Sequence, residues 1–167
     1  MGHPESLEGN INKSLSYYSS RIKMPKGERH LRKPSVKIPG EKWKLGYLAG
    51  LIDGEGVISL VKHEGTFGGF VVQLAVYNTD ERLVRWIQEN FGGHVYSRDR
   101  SKTKGYFGYR KQREWKWYIS RTLDVYYILF HVRDYLIVKR QKAEQVLQFL
   151  KEKLLALRYE SFLLDRE

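Results

Sequence analysis

The sequence predicts a mixed α/β (α+β) domain with elements in the order helix, two strands, helix, two strands, helices. Two observations lead there. Apolar spacing is helical up to Gly56, alternates from Ile58 to Tyr77, returns to a helical period up to Phe91, alternates again between His94 and Ser120, and stays helical to near the end. Glycines mark several of the changes: Gly54 and Gly56, then Gly65, Gly68 and Gly69, then Gly92 and Gly93.

Residues 1–40 stand apart. All four prolines of the 167-residue chain lie here among Lys, Arg, Ser and Gly, without a periodic apolar pattern. That composition predicts a basic arm, with a single domain over 41–167. Its basic run from Arg21 to Lys37 suits a phosphate backbone or a minor groove, and equally a solvated extension.

The first domain element, LGYLAGLIDGEG from Leu45 to Gly56, carries small residues on one helical face: Gly46, Ala49, Gly50 and Asp53. Glycine inside a helix costs about 1 kcal/mol against alanine, so two of them call for a compensating close contact between helices. Two acids, Asp53 and Glu55, then fall where the helix must stop, facing its unsatisfied carbonyls and the negative end of its dipole. A glycine C-cap with solvated acids explains part of this. A pair of such helices packed face to face explains all of it, because two Glu55 carboxylates and two Gly54 carbonyls would then form an all-oxygen site for a hard divalent cation.

The strands follow by parity. Ile58 and Leu60 point one way and Ser59, Val61 and His63 the other; Val72, Leu74 and Val76 line one face of the next strand and Gln73 stands on the opposite one. Asn78, Thr79 and Asp80 supply caps for a helix whose apolar stripe is Leu83, Val84, Ile87 and Phe91, ended by Gly92 and Gly93. In the second hairpin Trp115, Trp117 and Ile119 face inward, Tyr96, Arg98 and Arg100 join Glu114, Lys116, Tyr118 and Ser120 on the polar face, and Lys102 to Gly105 makes the turn. Leu123 to Leu136 is apolar on most sides and reads as a buried helix; a last helix follows from Lys139 with Ala143, Val146, Leu147, Leu150, Leu154 and Leu157 at its period.

Charge limits the partners. With 30 Lys and Arg against 19 Asp and Glu, a net charge of +11 favours a polyanion. The absence of cysteine rules out a disulfide framework and a thiolate zinc site. No apolar run is long enough for a signal peptide or a membrane span, so no membrane partner is expected and the location is expected to be intracellular, in the cytoplasm, nucleoid or an organelle matrix. Lysines and arginines interleaved with aromatics on the second hairpin point to nucleic acid, whereas an ordinary wet sheet face would explain them only as solubility.

LAGLIDGEG at Leu48 to Gly56 resembles the signature of the LAGLIDADG homing endonucleases, agreeing at seven of nine places, with Gly54 for Ala and Glu55 for Asp. A second, shorter likeness covers IVKRQKA from Ile137 to Ala143. The resemblance implies a four-stranded antiparallel saddle on DNA, backed by helices in the order α-β-β-α-β-β-α-α. One motif in the chain implies the homodimeric type, an intron- or intein-type enzyme that cuts both strands of a long pseudo-palindromic target. It implies Mg²⁺ as cofactor, held by Glu55 and Gly54, with other divalent cations allowed.

The same resemblance assigns Lys139 to stabilise developing charge, and a polar residue at the end of the second strand, Asn78 or alternatively Gln73, to order water. Gly46, Ala49, Gly50 and Asp53 fall to the dimer interface. Expected DNA contacts are Ser59, His63, Gln73, Arg98, Arg100, Lys102, Lys104, Arg110, Gln112, Lys116 and Tyr118 on the sheet, with Arg140 and Lys142 on phosphates. Two other functions fit the fold: an RNA-binding maturase with host intron RNA as partner, and a DNA-binding regulator without cleavage. An acid facing phosphates, together with Lys139, favours the enzyme.

Overall fold

A computed structural model describes residues 33–63, 69–99, 104–105, 108–109, 113–156 and 160–164. Helix α1 (Lys42–Glu55) runs into β1 (Gly56–His63) and β2 (Gly69–Asn78); α2 (Glu81–Phe91) leads to β3 (His94–Asp99), the short β4 (Lys104–Gly105) and β5 (Gly108–Tyr109), and β6 (Arg113–Ile119). Helix α3 (Thr122–Val132), a 3-10 turn (Arg133–Tyr135), α4 (Arg140–Ala156) and a second 3-10 turn (Glu160–Phe162) complete the described chain.

Four strands pair antiparallel in the order β1-β2-β6-β3. The register opposes Ile58 to Leu74, Leu74 to Ile119 and Val95 to Trp117, so the alternation of each strand puts its apolar set on one shared face. Helices cover that face. Leu48 and Ile52 of α1, Val84, Ile87 and Phe91 of α2, and Val125, Ile128 and Leu129 of α3 form one core with Ile58, Leu74, Val76 and Trp117. The expected mixed fold with a four-stranded antiparallel sheet is therefore what the chain adopts.

Two glycine positions tie this core together. Asp80 caps α2 by accepting the Arg82 N–H at 2.9 Å, and the helix ends at Gly92 and Gly93 with φ of 80° and 87°. That left-handed pair lets the Gly92 carbonyl accept the indole N–H of the fully buried Trp117 at 2.7 Å, which satisfies the core's largest side chain. At the other end of the domain β1 folds back over α1 so closely that a Cβ on Gly56 would lie 2.5 Å from the Ile52 Cα. Gly56→Ala is accordingly expected to lower stability by about 2–4 kcal/mol through backbone displacement. A urea midpoint unchanged by the substitution would show that the strand can step away from the helix.

Four expectations need correcting. Of the turn placed at Lys102 to Gly105, residues 102–103 lie outside the described residues, and Lys104 and Gly105 are strand residues that pair with Tyr109 and Gly108 in a small second hairpin. The helix expected over Leu123 to Leu136 ends at Val132 and tightens into a 3-10 turn. Ala49 is completely buried against the core instead of lying on the exposed face, since the helical period turns it inward with Leu48 and Ile52. Finally, residues 33–40 are not separate from the domain: Val36 and Ile38 pack on the core and the Lys37 N–H bonds to the Phe91 carbonyl at 2.9 Å.

Candidate active site and nucleic-acid face

Three elements converge at the carboxyl end of α1. Glu55, its last residue, is exposed, and its Oε2 accepts a 2.6 Å hydrogen bond from Asn78 Nδ2 at the end of β2. Asn78 in turn accepts the Asp80 N–H on Oδ1 at 2.8 Å, which fixes the orientation of its amide. Among the described residues no cation pairs with Glu55. A carboxylate in that position meets the negative pole of its own helix as well, so the site favours an incoming cation.

Asp53 and Lys139 form a reciprocal clamp across the other side of the helix end. The Asp53 carboxylate accepts the backbone N–H groups of Ile137, Val138 and Lys139 at 2.7, 3.2 and 2.8 Å, capping the start of α4. Lys139 Nζ answers by donating to the Ile52 and Asp53 carbonyls at 2.9 and 2.6 Å, the unsatisfied end of α1. Burial pushes the Asp53 carboxyl up, but the N–H groups of Ile137, Lys139 and Val138 and the Lys139 charge outweigh it and hold the group below the usual carboxylate range. Two of the three ammonium protons of Lys139 are used, leaving one for a ligand. Asp53 thus spends its oxygens within its own chain, on the turn that carries Lys139.

The remaining helix residues divide. Added Cβ atoms at Gly50 and Gly54 would meet nothing within 4 Å, so α1 shows an open strip there, with Trp43 62% and Tyr47 46% exposed on the same helix. Gly46 is half-buried beside Tyr135, whose ring would make an ordinary 3.6 Å contact with an added Cβ. Trp43 and Tyr47 sit against Trp86 of α2 with ring centres 6.0 and 4.9 Å apart, lining a surface hollow of about 490 Å³ with Leu83, Asp80 and Arg82.

Sequence reasoning passed over Arg82. Its guanidinium, 90% exposed, binds the Asp80 carboxylate at 2.6 Å and so extends the chain of hydrogen bonds that begins at Glu55 and Asn78. The available signal was a cation in the first turn of a helix, where the dipole disfavours it, right after Asn78.

On the sheet, the face away from the core carries Ser59, Gln73, Tyr77, Lys116, Tyr118, His94, Tyr96 and Arg98, as parity required. Arg98 and Tyr96 are exposed; Gln73, Lys116, Tyr118 and Ser59 are half-buried. Lys116 Nζ donates to Gln73 Oε1 at 2.8 Å and lies 5.4 and 4.9 Å from the rings of Tyr77 and Tyr118. His63 and Lys104 sit on strands β1 and β4, and Arg100, Lys102, Arg110 and Gln112 lie outside the described residues. Lys142 is exposed, whereas Arg140 is engaged with Asp134 at 3.6 Å and Glu144 at 3.1 Å.

A scan against protein-family models finds no match, and a search of curated proteins finds none. Solved structures do match, and they are LAGLIDADG homing endonucleases. I-CvuI, in complex with the I-CreI target in the presence of Mg and with uncleaved DNA, is 22% identical over 75% of this chain and 85% of its own, with a TM-score of 0.50. The same enzyme with its own target in the presence of Ca matches equally. The archaeal intron-encoded I-Vdi141I, complexed with DNA, is 17% identical over 72% of this chain and 70% of its own, with a TM-score of 0.47. The fold of this chain is the LAGLIDADG homing endonuclease fold. Among the described residues no helix is long and apolar enough to cross a membrane.

Proposed function

We propose that the chain is a homing endonuclease of the LAGLIDADG type, which as a homodimer makes a metal-dependent, site-specific double-strand break in a long pseudo-palindromic DNA target. The observation that carries this reading is Glu55: an exposed carboxylate at a helix carboxyl end, held by Asn78, with no cation partner among the described residues, in a chain of net charge +11. A protein that only binds phosphates gains nothing from an anion so placed. The fold's solved examples include complexes with DNA in the presence of Mg and of Ca, which supports the same partner and cofactor class.

The donors fit a hard divalent ion such as Mg²⁺. Glu55 offers charged oxygen and Gly54 a terminal carbonyl, and among the described residues of one chain no group of three or more His, Asp or Glu gathers at one point. A site built on one carboxylate is completed by a second copy, whose own Glu55 and Gly54 would enter across the open strip at Gly50 and Gly54. Bound there, the ion would supply neutralisation of phosphoryl charge and an acidified water.

The chain's own groups supply the rest. Asn78 fixes the Glu55 carboxylate and keeps one amide N–H to orient a water. Lys139, its ammonium pinned to the end of α1, offers its remaining proton to a phosphoryl oxygen whose charge grows during cleavage. Arg82 adds a second cation on the Asn78 side of the site. The twofold pairing would set one active carboxylate and one sheet against each half of the target, so the two half-sites would be read alike.

The test uses the full chain and a pool of randomised duplex DNA. Incubation with Mg²⁺ is expected to select duplexes cut in both strands at one pseudo-palindromic sequence, and EDTA is expected to stop cutting while binding persists. Selective binding without any Mg²⁺-dependent break would leave the binding-only regulator as the better reading; selective retention of RNA instead of duplex DNA would favour the maturase.

A further inference from the structure

The open sheet face holds one pair of side chains whose chemistry is already fixed before any ligand arrives. Lys116 lies opposite Tyr77 on β2, yet its ammonium reaches Gln73, two positions further along the same face, at 2.8 Å. That reach carries the lysine stem past Ala75, which is buried although it belongs to the open face. The rings of Tyr77 and Tyr118, 5.4 and 4.9 Å from Nζ, hold the ammonium from two sides. A lysine with three such contacts has surrendered much of its rotamer freedom in advance, which is how a recognition group is preorganised and not how a solvated lysine behaves.

The identity of the contacting atom follows from chemistry alone. An ammonium has donors only, so the Gln73 atom it meets must be the carbonyl oxygen and never the amide nitrogen. The consequence concerns readout. A free glutamine recognises adenine by accepting from N6–H and donating to N7 together. Lys116 takes one of the two lone pairs of the Gln73 carbonyl, and its positive charge beside the other repels the N6 amino group of adenine, so toward the groove Gln73 acts chiefly through its N–H. Lys116, with protons left over, shows only N–H as well. The pair is dominated by donors beside a fixed positive charge, and the major-groove edge that carries two adjacent acceptors, O6 and N7, is that of guanine.

We propose that Gln73 and Lys116 act as one cationic, donor-rich reading unit that specifies guanine at a single symmetry-related pair of positions in the DNA target. This rests on the duplex-DNA reading above and deepens it by naming a base.

Competition binding against duplexes drawn from the selected target, with each base varied in turn, tests the assignment in Ca²⁺ so that cleavage does not intervene. The wild-type chain is expected to prefer guanine to adenine at one symmetric pair by about tenfold. Lys116→Met keeps the stem over Ala75 but releases the Gln73 carbonyl, and the preference at that pair is expected to move to adenine. Lys116→Arg keeps a donor on Gln73 and is expected to retain guanine. If Lys116→Met loses its folded circular dichroism spectrum, Gln73→Leu decides: guanine preference at the same pair should fall several-fold without adenine gaining. Unchanged base preference in the folded variants, or an equal loss of affinity for every duplex, overturns the proposal while leaving the DNA-binding reading intact. A wild-type chain that selects no duplex sequence at all overturns both.

Discussion

Glu55→Gln is expected to bind its DNA target as tightly as the wild-type chain or slightly better, and to cut it roughly a thousandfold more slowly or worse. The substitution is nearly isosteric, and the glutamine carbonyl can still accept the bond that Asn78 donates at 2.6 Å. What disappears is one negative charge per chain at the carboxyl end of α1, and with it the attraction for a divalent ion. Removing an anion that faces phosphates should not weaken binding. The experiment therefore separates the two roles a carboxylate could have here. If Glu55 were only a solvated residue at a helix end, cleavage with Mg²⁺ would continue at its former rate, and the proposed active site would be lost. Gel-shift affinity measured in Ca²⁺ beside single-turnover cleavage in Mg²⁺ gives both quantities.

Asp53→Ala should lower stability by about 2–3 kcal/mol. Three backbone N–H groups at the start of α4 would lose their acceptor together, and the turn from Ile137 to Lys139 would have nothing to hold it against α1. Water reaches this half-exposed site and recovers part of the loss, which keeps the figure well below the sum of three charged hydrogen bonds. Asp53→Asn retains an acceptor oxygen and should lose about half as much. Cleavage should fall along with stability, because Lys139 is delivered by that same turn. Urea unfolding of the three proteins checks the order; equal midpoints for Asp53→Ala and the wild-type chain would show that the turn holds its shape without the carboxylate.

The legible parts of the sequence were those set by local periodicity. Alternation from Ile58 to Tyr77 and from His94 to Ser120 placed the strands and their faces, because a strand's side chains have no choice but to alternate. The stripe of Val84, Ile87 and Phe91 placed α2, and Asp80 and Gly92 bounded it. Of the candidate site residues, Glu55, Asn78 and Lys139 meet around the end of α1 although they lie far apart in the chain. Their proximity was legible only through the family likeness, since no spacing rule links position 55 to position 139.

What escaped had the same origin. Asp53 binding amides 84 to 86 positions away and Lys116 crossing Ala75 to reach Gln73 are contacts of tertiary packing. Ala49 was misplaced for a subtler reason. Smallness alone does not say whether a residue lets another molecule approach or lets its own core close, and here the methyl group is buried in the core.

One contact far from the motif decides where the portable unit begins. Asp124, only 4% exposed, accepts the backbone N–H of Ser35 at 2.7 Å and the Ser35 hydroxyl, with Arg121 3.8 Å away and itself donating to the Lys33 carbonyl at 2.8 Å. A polypeptide trimmed to the motif, starting at Glu41, would leave that acid walled in without its serine. Grafting or fusing this domain therefore means carrying the stitch from Lys33 to Ile38 along with it.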